Sequence, residues 1–137
     1  MIRTHVFPCA LPKAEADVLN RESGRIYTSV LLQHYRIYRK HGHWLSPAAS
    51  ARIEDSIGLT LLHAHSREAA QRGFYKACTT ARTLKEQGDA DVRYPQRRKR
   101  WRTTIWKNTG IRCHRPRISG LLSVQASDGV VAWTRRT

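Results

Sequence analysis

Carboxylates are scarce in this sequence of 137 residues, which has 10 Asp and Glu against 25 Lys and Arg. With neutral histidines the formal net charge is +15. Self-repulsion of this size destabilises a compact chain unless a polyanion compensates it. The excess of positive charge favours nucleic acid as the class of partner, because contacts with phosphates release counterions. An anionic membrane surface is the second class to consider.

Cysteines are few, and long apolar runs are absent. Cys9, Cys78 and Cys113 are an odd number at wide spacing, without a CxxC pair or a secretory signal ahead of them. A disulfide framework is therefore not expected. No stretch approaches the roughly 20 apolar residues that a membrane-spanning helix needs. These absences predict a soluble protein of a reducing, cytoplasmic compartment, with no membrane partner.

Catalytic and metal-binding motifs are missing as well. The chain has no GxxxxGK[ST], GxGxxG or GxSxG motif, and no HxE with PCxxC of a zinc deaminase. Three pairs contain potential metal ligands, but their spacings do not suit the closed tetrahedron of structural zinc: His41 with His43, His63 with His65, and Cys113 with His114. We therefore predict a protein that is not an enzyme and that has no catalytic residues, no metal and no cofactor.

The hydrophobic pattern divides the chain into three parts. Residues 1–12 alternate like a short strand up to Pro8, residues 13–90 have helical periodicity, and residues 91–137 are basic and rich in strand signals. One isolated N-terminal strand would leave its backbone unpaired, so it needs partners from the last part. The predicted fold class is α+β, a small antiparallel sheet or split barrel of N-terminal and C-terminal strands with an insertion of about three helices.

Three helices are predicted in the middle part. The first covers residues 13–40, where Gly24 is a weak point that leaves division into two helices open. The second begins at Ser46 and Pro47, a good N-cap followed by a good first helical residue. The third covers residues 67–87, with an apolar stripe on one face.

The stretch RYPQRRKRWRTTIWKNTGIR, residues 93–112, joins a basic run to large apolar side chains. From Asp91 to Arg117 there is one acid, Asp91 itself, and there are ten Lys or Arg residues. Because residues 103–106 are mostly β-branched or aromatic, we predict a strand there, followed by a turn at residues 108–110. The Asp-Gly pair at Asp128 indicates a later hairpin.

We interpret this stretch as an ordered nucleic-acid-binding surface. An extended backbone alternates its side chains, so guanidinium groups can meet phosphates while an aromatic ring meets a base or the core. The alternatives are a solvated charge run beside two core tryptophans, or a nuclear localisation signal. The predicted contact residues are Arg93, Arg97, Arg98, Lys99, Arg100, Trp101, Arg102, Lys107 and Arg112.

Three segments resemble the N-terminal region of TnpB-type proteins, the transposon-encoded OrfB "transposases" related to type V CRISPR effectors. They are FPCALPKAEADVLNRESGRIYTSVL, HAHSREAAQRGFYKACTTAR with its Ala-x3-Phe-Tyr-x-Ala pattern, and VRYPQRRKRWRTTIWKNTGIR. The resemblance covers nearly the whole chain and rests on the order and texture of these segments. It implies a wedge barrel interrupted by a helical recognition lobe, together cradling a guide RNA and its target DNA.

The nuclease half of that family, a RuvC-like domain with three acidic metal ligands and a zinc ribbon, would follow this chain's end. The resemblance therefore implies an N-terminal piece, with RNA or DNA as partner and catalysis, if any, supplied by a separate nuclease-containing chain. Two other functions stay open at this stage. One is a regulator that binds double-stranded DNA through its helices. The other is an adaptor or inhibitor that binds an acidic protein.

Overall fold

The computed structural model describes residues 2–4, 10–54, 60–114, 117–122 and 130–134. Its elements in chain order are α1 (Lys13–His41), α2 (Pro47–Glu54), α3 (Ala64–Glu86), a 3₁₀ turn (Asn108–Gly110), β1 (Ile111–His114), β2 (Arg117–Leu121) and β3 (Val130–Thr134). The predicted α+β class, with three helices and a small antiparallel sheet, is confirmed. The described helices fall within residues 13–90 and the described strands within residues 91–137.

The first two helices begin and end where the local sequence favours it. α1 runs unbroken through Gly24, so the predicted weak point does not divide it. It ends at Gly42, whose φ of 68° is left-handed and whose N–H donates to the carbonyl of Tyr38 at 2.8 Å. Ser46 caps α2, because its hydroxyl accepts from the N–H of Ala49 at 3.1 Å.

The core lies between α1 and α3. One cluster joins Tyr27, Val30 and Leu31 of α1 to Phe74, Tyr75 and Cys78 of α3. Phe74, the centre of the predicted stripe on α3, is fully buried and meets the ring of Tyr27 edge-on at 6.1 Å between centroids. Burial away from water raises the pKa of the Cys78 thiol to about 11. This cysteine is therefore a packing residue at neutral pH.

A fully buried histidine occupies the middle of this aromatic cluster. The imidazole of His34 lies 4.4 Å from the ring of Trp44 and 5.1 Å from that of Phe74, centroid to centroid. Its Nδ1 is 3.5 Å from the hydroxyl of Tyr75. Desolvation lowers the pKa of His34, so the ring is held neutral. The histidine thus serves as one more aromatic ring in the core.

The three described strands form one antiparallel sheet in the order β1-β2-β3. Ile111 pairs with Gly120 across β1 and β2, and Gly120 pairs with Val131 across β2 and β3. β2 and β3 are antiparallel, as the predicted hairpin requires, and their pairing begins at Leu121 and Val130. The loop between them, with the predicted turn at Asp128, lies outside the described residues.

One predicted strand is wrong, and part of another lies outside the described residues. The strand predicted at residues 103–106 is wrong, since those residues pair with no strand and β1 begins only at Ile111. At the N-terminus, residues 2–4 and 10–12 belong to no strand. The remainder of the predicted first strand, residues 5–9, lies outside the described residues.

The sheet docks onto the helices through a second apolar cluster. Leu62, just before α3, is buried and forms an isolated bridge with Leu122, just after β2. It packs in a cluster with Leu19 and Ile26 of α1. Trp106 packs against the same cluster and donates its Nε1–H to the carbonyl of Leu121 at 2.9 Å. Trp106 thereby holds the segment before β1 against both the helices and the sheet.

None of the described helices combines the length and the apolarity that crossing a bilayer would require.

Candidate nucleic-acid interface

Residues 95–104 lie along α1 as an extended segment that runs opposite to the helix. The hydroxyl of Tyr35 donates to the carbonyl of Pro95 at 2.8 Å. About two turns earlier on α1, the hydroxyl of Thr28 bonds both the N–H and the carbonyl of Lys99, at 3.0 and 2.9 Å. These contacts replace the strand pairing that the sequence predicted, because side chains of a helix, and no second strand, satisfy the extended backbone.

Asn20 binds the C-terminal end of the segment. Its side-chain oxygen accepts from the N–H and the hydroxyl of Thr104, at 3.0 and 2.9 Å, and its carbonyl accepts from the N–H of Arg102 at 3.1 Å. Asn20, Thr28 and Tyr35 lie at steps of eight and seven residues and therefore share one face of α1. We call this set of contacts the clamp.

Two helix glycines make room for the segment. A Cβ on Gly24 of α1 would lie 2.8 Å from the carbonyl carbon and oxygen of Arg100 and from the nitrogen of Trp101. A Cβ on Gly73 of α3 would collide with the guanidinium of Arg102. Glycine at these positions is therefore explained by close approach of the segment, and neither residue interrupts its helix.

The period-two alternation expected of an extended backbone holds along the second half of the segment. Arg102, Thr104 and Trp106 are half-buried on the side of the helices. Trp101 and Ile105 lie on the other side, and 47% and 45% of their surfaces are exposed. An exposed indole beside cationic side chains is the kind of group on which an unpaired base stacks.

Residues 97–101, here called the basic ridge, lie on the surface of the clamped segment. Arg97, Arg98, Lys99 and Arg100 are all exposed. The ammonium of Lys99 lies 4.7 Å from the ring centroid of Tyr27. Within the described part of the chain, no carboxylate approaches the three ridge arginines within ion-pairing distance. The clamp therefore holds the backbone that carries these guanidinium groups, and the groups themselves can meet an outside anion.

Two predicted contact residues are turned inward. The guanidinium of Arg102 packs against Gly73, its Nη1 is buried, and desolvation lowers its pKa. Lys107 forms an ion pair with Glu68 of α3 at 2.8 Å, which holds the pKa of that carboxyl below its usual range. Arg102 is thus half-buried against α3, and Lys107, whose side chain is 38% exposed, is engaged by a carboxylate of α3.

The other predicted residues are dispersed. Arg93 is exposed ahead of the clamp, and Arg112 is exposed on β1, opposite Ser119 of β2. The structure therefore brings together Arg97, Arg98, Lys99, Arg100 and Trp101 as one continuous stretch of surface.

A groove next to the ridge contains cations that the sequence analysis did not single out. The second half of α1 and residues 96–98 enclose a cavity of about 630 Å³. Arg36, Arg39 and Lys40 of α1 line it together with Arg98 of the ridge. The spacing of i, i+3 and i+4 puts the three α1 cations on one helix face, a signal that was present in the sequence. Arg39 and Lys40 also lie in the last turn of α1, where they complement the helix dipole.

The floor of this groove is apolar. Leu31, Leu32 and Tyr35 line it, and Tyr35 is tied by its hydroxyl to Pro95 on the opposite wall. Burial raises the pKa of the Tyr35 phenol, so the hydroxyl stays protonated and remains the donor. We call this site, with its four cations and its apolar floor, the basic groove.

The histidine and cysteine pairs do not gather into a metal site. Over the described ranges, no three His, Cys, Asp or Glu side chains come together in a way that could hold a metal ion. The Nδ1 of His63 accepts from the N–H of His65 at 3.3 Å and so caps α3. Burial lowers the pKa of His63, in keeping with its role as an acceptor.

No protein-family model matches this chain, and searches of curated proteins and of solved structures also gave no match.

Proposed function

We propose that this protein is a noncatalytic module that binds RNA or DNA through the basic ridge. The observation that carries the proposal is the clamp, which holds three exposed arginines and one exposed tryptophan on an ordered extended backbone. Ordering the backbone in advance reduces the entropy that is lost on binding. A disordered basic tail would lack this advantage.

The charge balance supports a polyanionic partner. The ridge and the groove together carry seven exposed Lys and Arg residues of a chain with a net charge of +15, and no carboxylate is among the groove's lining residues. Arginine suits phosphate because its planar fork donates two parallel hydrogen bonds. Binding should therefore be strongly weakened by salt.

The noncatalytic part of the proposal is supported by how the described carboxylates are used. Glu22 pairs with Arg25 at 2.6 Å, and Glu68 pairs with Arg72 and Lys107 at 2.7 and 2.8 Å. These pairs stabilise helix surfaces and the attachment of the segment. The resemblance to the N-terminal region of TnpB-type proteins agrees with a binding module whose nuclease activity, if any, resides in another polypeptide, and it stays part of this proposal.

The experiment is a binding titration of the double variant Arg98→Glu with Arg100→Glu. Fluorescence anisotropy of a labelled RNA or DNA oligonucleotide should show at least about tenfold weaker binding, with the salt slope reduced by about 1.4 on single strands because two phosphate contacts are lost. The double variant Lys76→Glu with Arg82→Glu on α3 is the matched control. It makes the same charge change at exposed positions outside the ridge and the groove.

Two results would contradict the proposal in different ways. Equal binding by the ridge variant and the wild-type protein would show that the ridge is not the contact surface. Absence of binding by the wild-type protein even at low salt would exclude nucleic acid as the partner. A partner that is retained after nuclease treatment would then favour an acidic protein.

A further inference from the structure

The basic groove has a shape and a chemistry that the ridge alone does not have. Its volume of about 630 Å³ falls within the range of about 300–1,000 Å³ typical of sites for small organic groups. Cations line its rim, and leucine and tyrosine side chains form its floor. A ligand that fills it must therefore carry negative charge and an apolar or aromatic face within the same few ångströms.

We propose that the basic groove binds a single-stranded polynucleotide, with phosphates on Arg36, Arg39, Lys40 and Arg98 and a sugar or base against Leu32 and Tyr35. This inference rests on the proposed function and adds the form of nucleic acid that is bound. Arg98 belongs to both the groove and the ridge, so a strand leaving the groove continues along Arg97 and Arg100 toward the exposed ring of Trp101. The protein thereby offers a cationic track with an apolar contact at each end.

A duplex does not fit this arrangement. In double-stranded DNA or RNA the base faces are stacked inside and only phosphates and groove edges reach the outside. A duplex could therefore touch the cations on the rim, but it would leave the apolar floor in water. A single strand can turn its bases outward and cover Leu32 and Tyr35, and aromatic contacts of this kind favour unpaired bases. The apolar floor is the feature that discriminates between the two forms.

The groove's cations are free for this role within the described residues. Arg36, Arg39, Lys40 and Arg98 are exposed, and no described carboxylate lies within ion-pairing distance of them. The wall opposite α1 is fixed by the bond between Tyr35 and Pro95 and by the bonds between Thr28 and Lys99. The groove is therefore formed before any ligand arrives.

The test compares one mixed-sequence DNA strand of about 12 nucleotides, a length within the usual range for single-strand binders, with its own duplex. Anisotropy should show that the wild-type protein binds the strand at least about fivefold more tightly than the duplex, because only the strand gains base contacts. The variant Leu32→Ser should weaken binding of the strand by about two- to fivefold through lost apolar contact and leave binding of the duplex unchanged. Arg36→Glu with Arg39→Glu should lower the salt slope for the strand by about 1.4.

Val18→Ser is the matched control for the leucine change. Val18 also lies on α1 and is 50% exposed, close to the 38% of Leu32, but it does not line the groove. It should bind both forms like the wild-type protein. Circular dichroism of the variants checks that each retains its helices.

The outcomes separate this inference from the proposed function. Binding of both forms with equal affinity, or with preference for the duplex, would overturn the groove assignment and leave a nucleic-acid-binding ridge. The same conclusion follows if Leu32→Ser and the Arg36 and Arg39 reversals do not change binding of the strand. If neither form binds at low salt, the proposed function itself fails.

Discussion

At the scale of single residues, glycine is used in this protein for space. Gly24 lies in mid-helix, where glycine costs about 1 kcal/mol relative to alanine. Glycine is needed here despite this cost, because the backbone of Arg100 and Trp101 passes where a Cβ would be. A residue that looks like a helix breaker in the sequence is therefore a contact residue in the fold.

Substitution of the two helix glycines by alanine should change the stability by different amounts. Gly24→Ala puts a methyl group against backbone atoms that the clamp holds in place, so we expect a loss of about 1–2 kcal/mol in unfolding free energy despite the better helix propensity. Gly73→Ala meets only the end of the flexible Arg102 side chain, and we expect stability within about 1 kcal/mol of the wild-type protein. Urea denaturation measures both. A Gly24→Ala variant as stable as the wild-type protein would show that the close approach at Gly24 is unimportant.

At the scale of elements, the extended segment is stabilised by a helix where the sequence predicted a sheet. Thr28 alone satisfies both backbone groups of Lys99, the central residue of the basic ridge. Each such hydrogen bond contributes about 0.5–1.5 kcal/mol net. The order of the ridge therefore depends on a few polar side chains of α1.

Replacing Thr28 by valine should loosen the ridge and leave the helices intact. Thr28→Val keeps the side-chain shape but releases the N–H of Lys99, so we expect amide exchange there to accelerate by about tenfold. Hydrogen exchange followed by mass spectrometry of peptides covering residues 95–104 measures the change. Thr80→Val is the control, because the hydroxyl of Thr80 donates to the carbonyl of Lys76 within α3. Unchanged exchange in the Thr28 variant would mean that the clamp does not order the ridge.

The sequence predicted the helices well because their signals are local. The apolar stripe on α3, the Ser46 cap of α2 and the glycine after α1 each act within a few residues. The basic ridge was also predicted, because its charges are consecutive in the chain. The strand at residues 103–106 was wrong because β-branched residues favour an extended backbone without specifying its partner. Asn20, which bonds Thr104 in this case, lies 84 residues away in the chain.

The basic groove was missed for a related reason. Arg36, Arg39 and Lys40 lie about 60 residues before Arg98, and no local pattern says that they share a cavity with it. Only their common helix face was visible in the sequence. Likewise, Arg102 belongs to the same basic run as Arg98 and Arg100, yet the position of Gly73 turns it inward. The charge pattern alone therefore did not show which cations of the run are exposed and which are turned toward the helices.

At the scale of the whole molecule, the excess of positive charge should make salt stabilise the free protein. Raising the ionic strength from about 0.01 to about 1 M shortens the Debye length from about 30 to about 3 Å and so screens self-repulsion. We expect Tm to rise by a few degrees in sodium chloride, measured by circular dichroism, while affinity for nucleic acid falls over the same range. Arg98→Glu with Arg100→Glu lowers the net charge and should show a smaller rise. A Tm that falls with salt would mean that attractive ion pairs outweigh repulsion in this fold.

The clamp also bears on the order in which the molecule assembles. Its hydrogen bonds join residues that are 60, 71 and 84 positions apart in the chain. Closing loops of that length costs conformational entropy. The contacts compensate for this cost only when both ends can pack against a formed surface. We therefore expect α1 and α3 to pair early and residues 95–104 to be laid down late, so that a nascent chain on the ribosome has its helices well before the clamp and the basic ridge are formed.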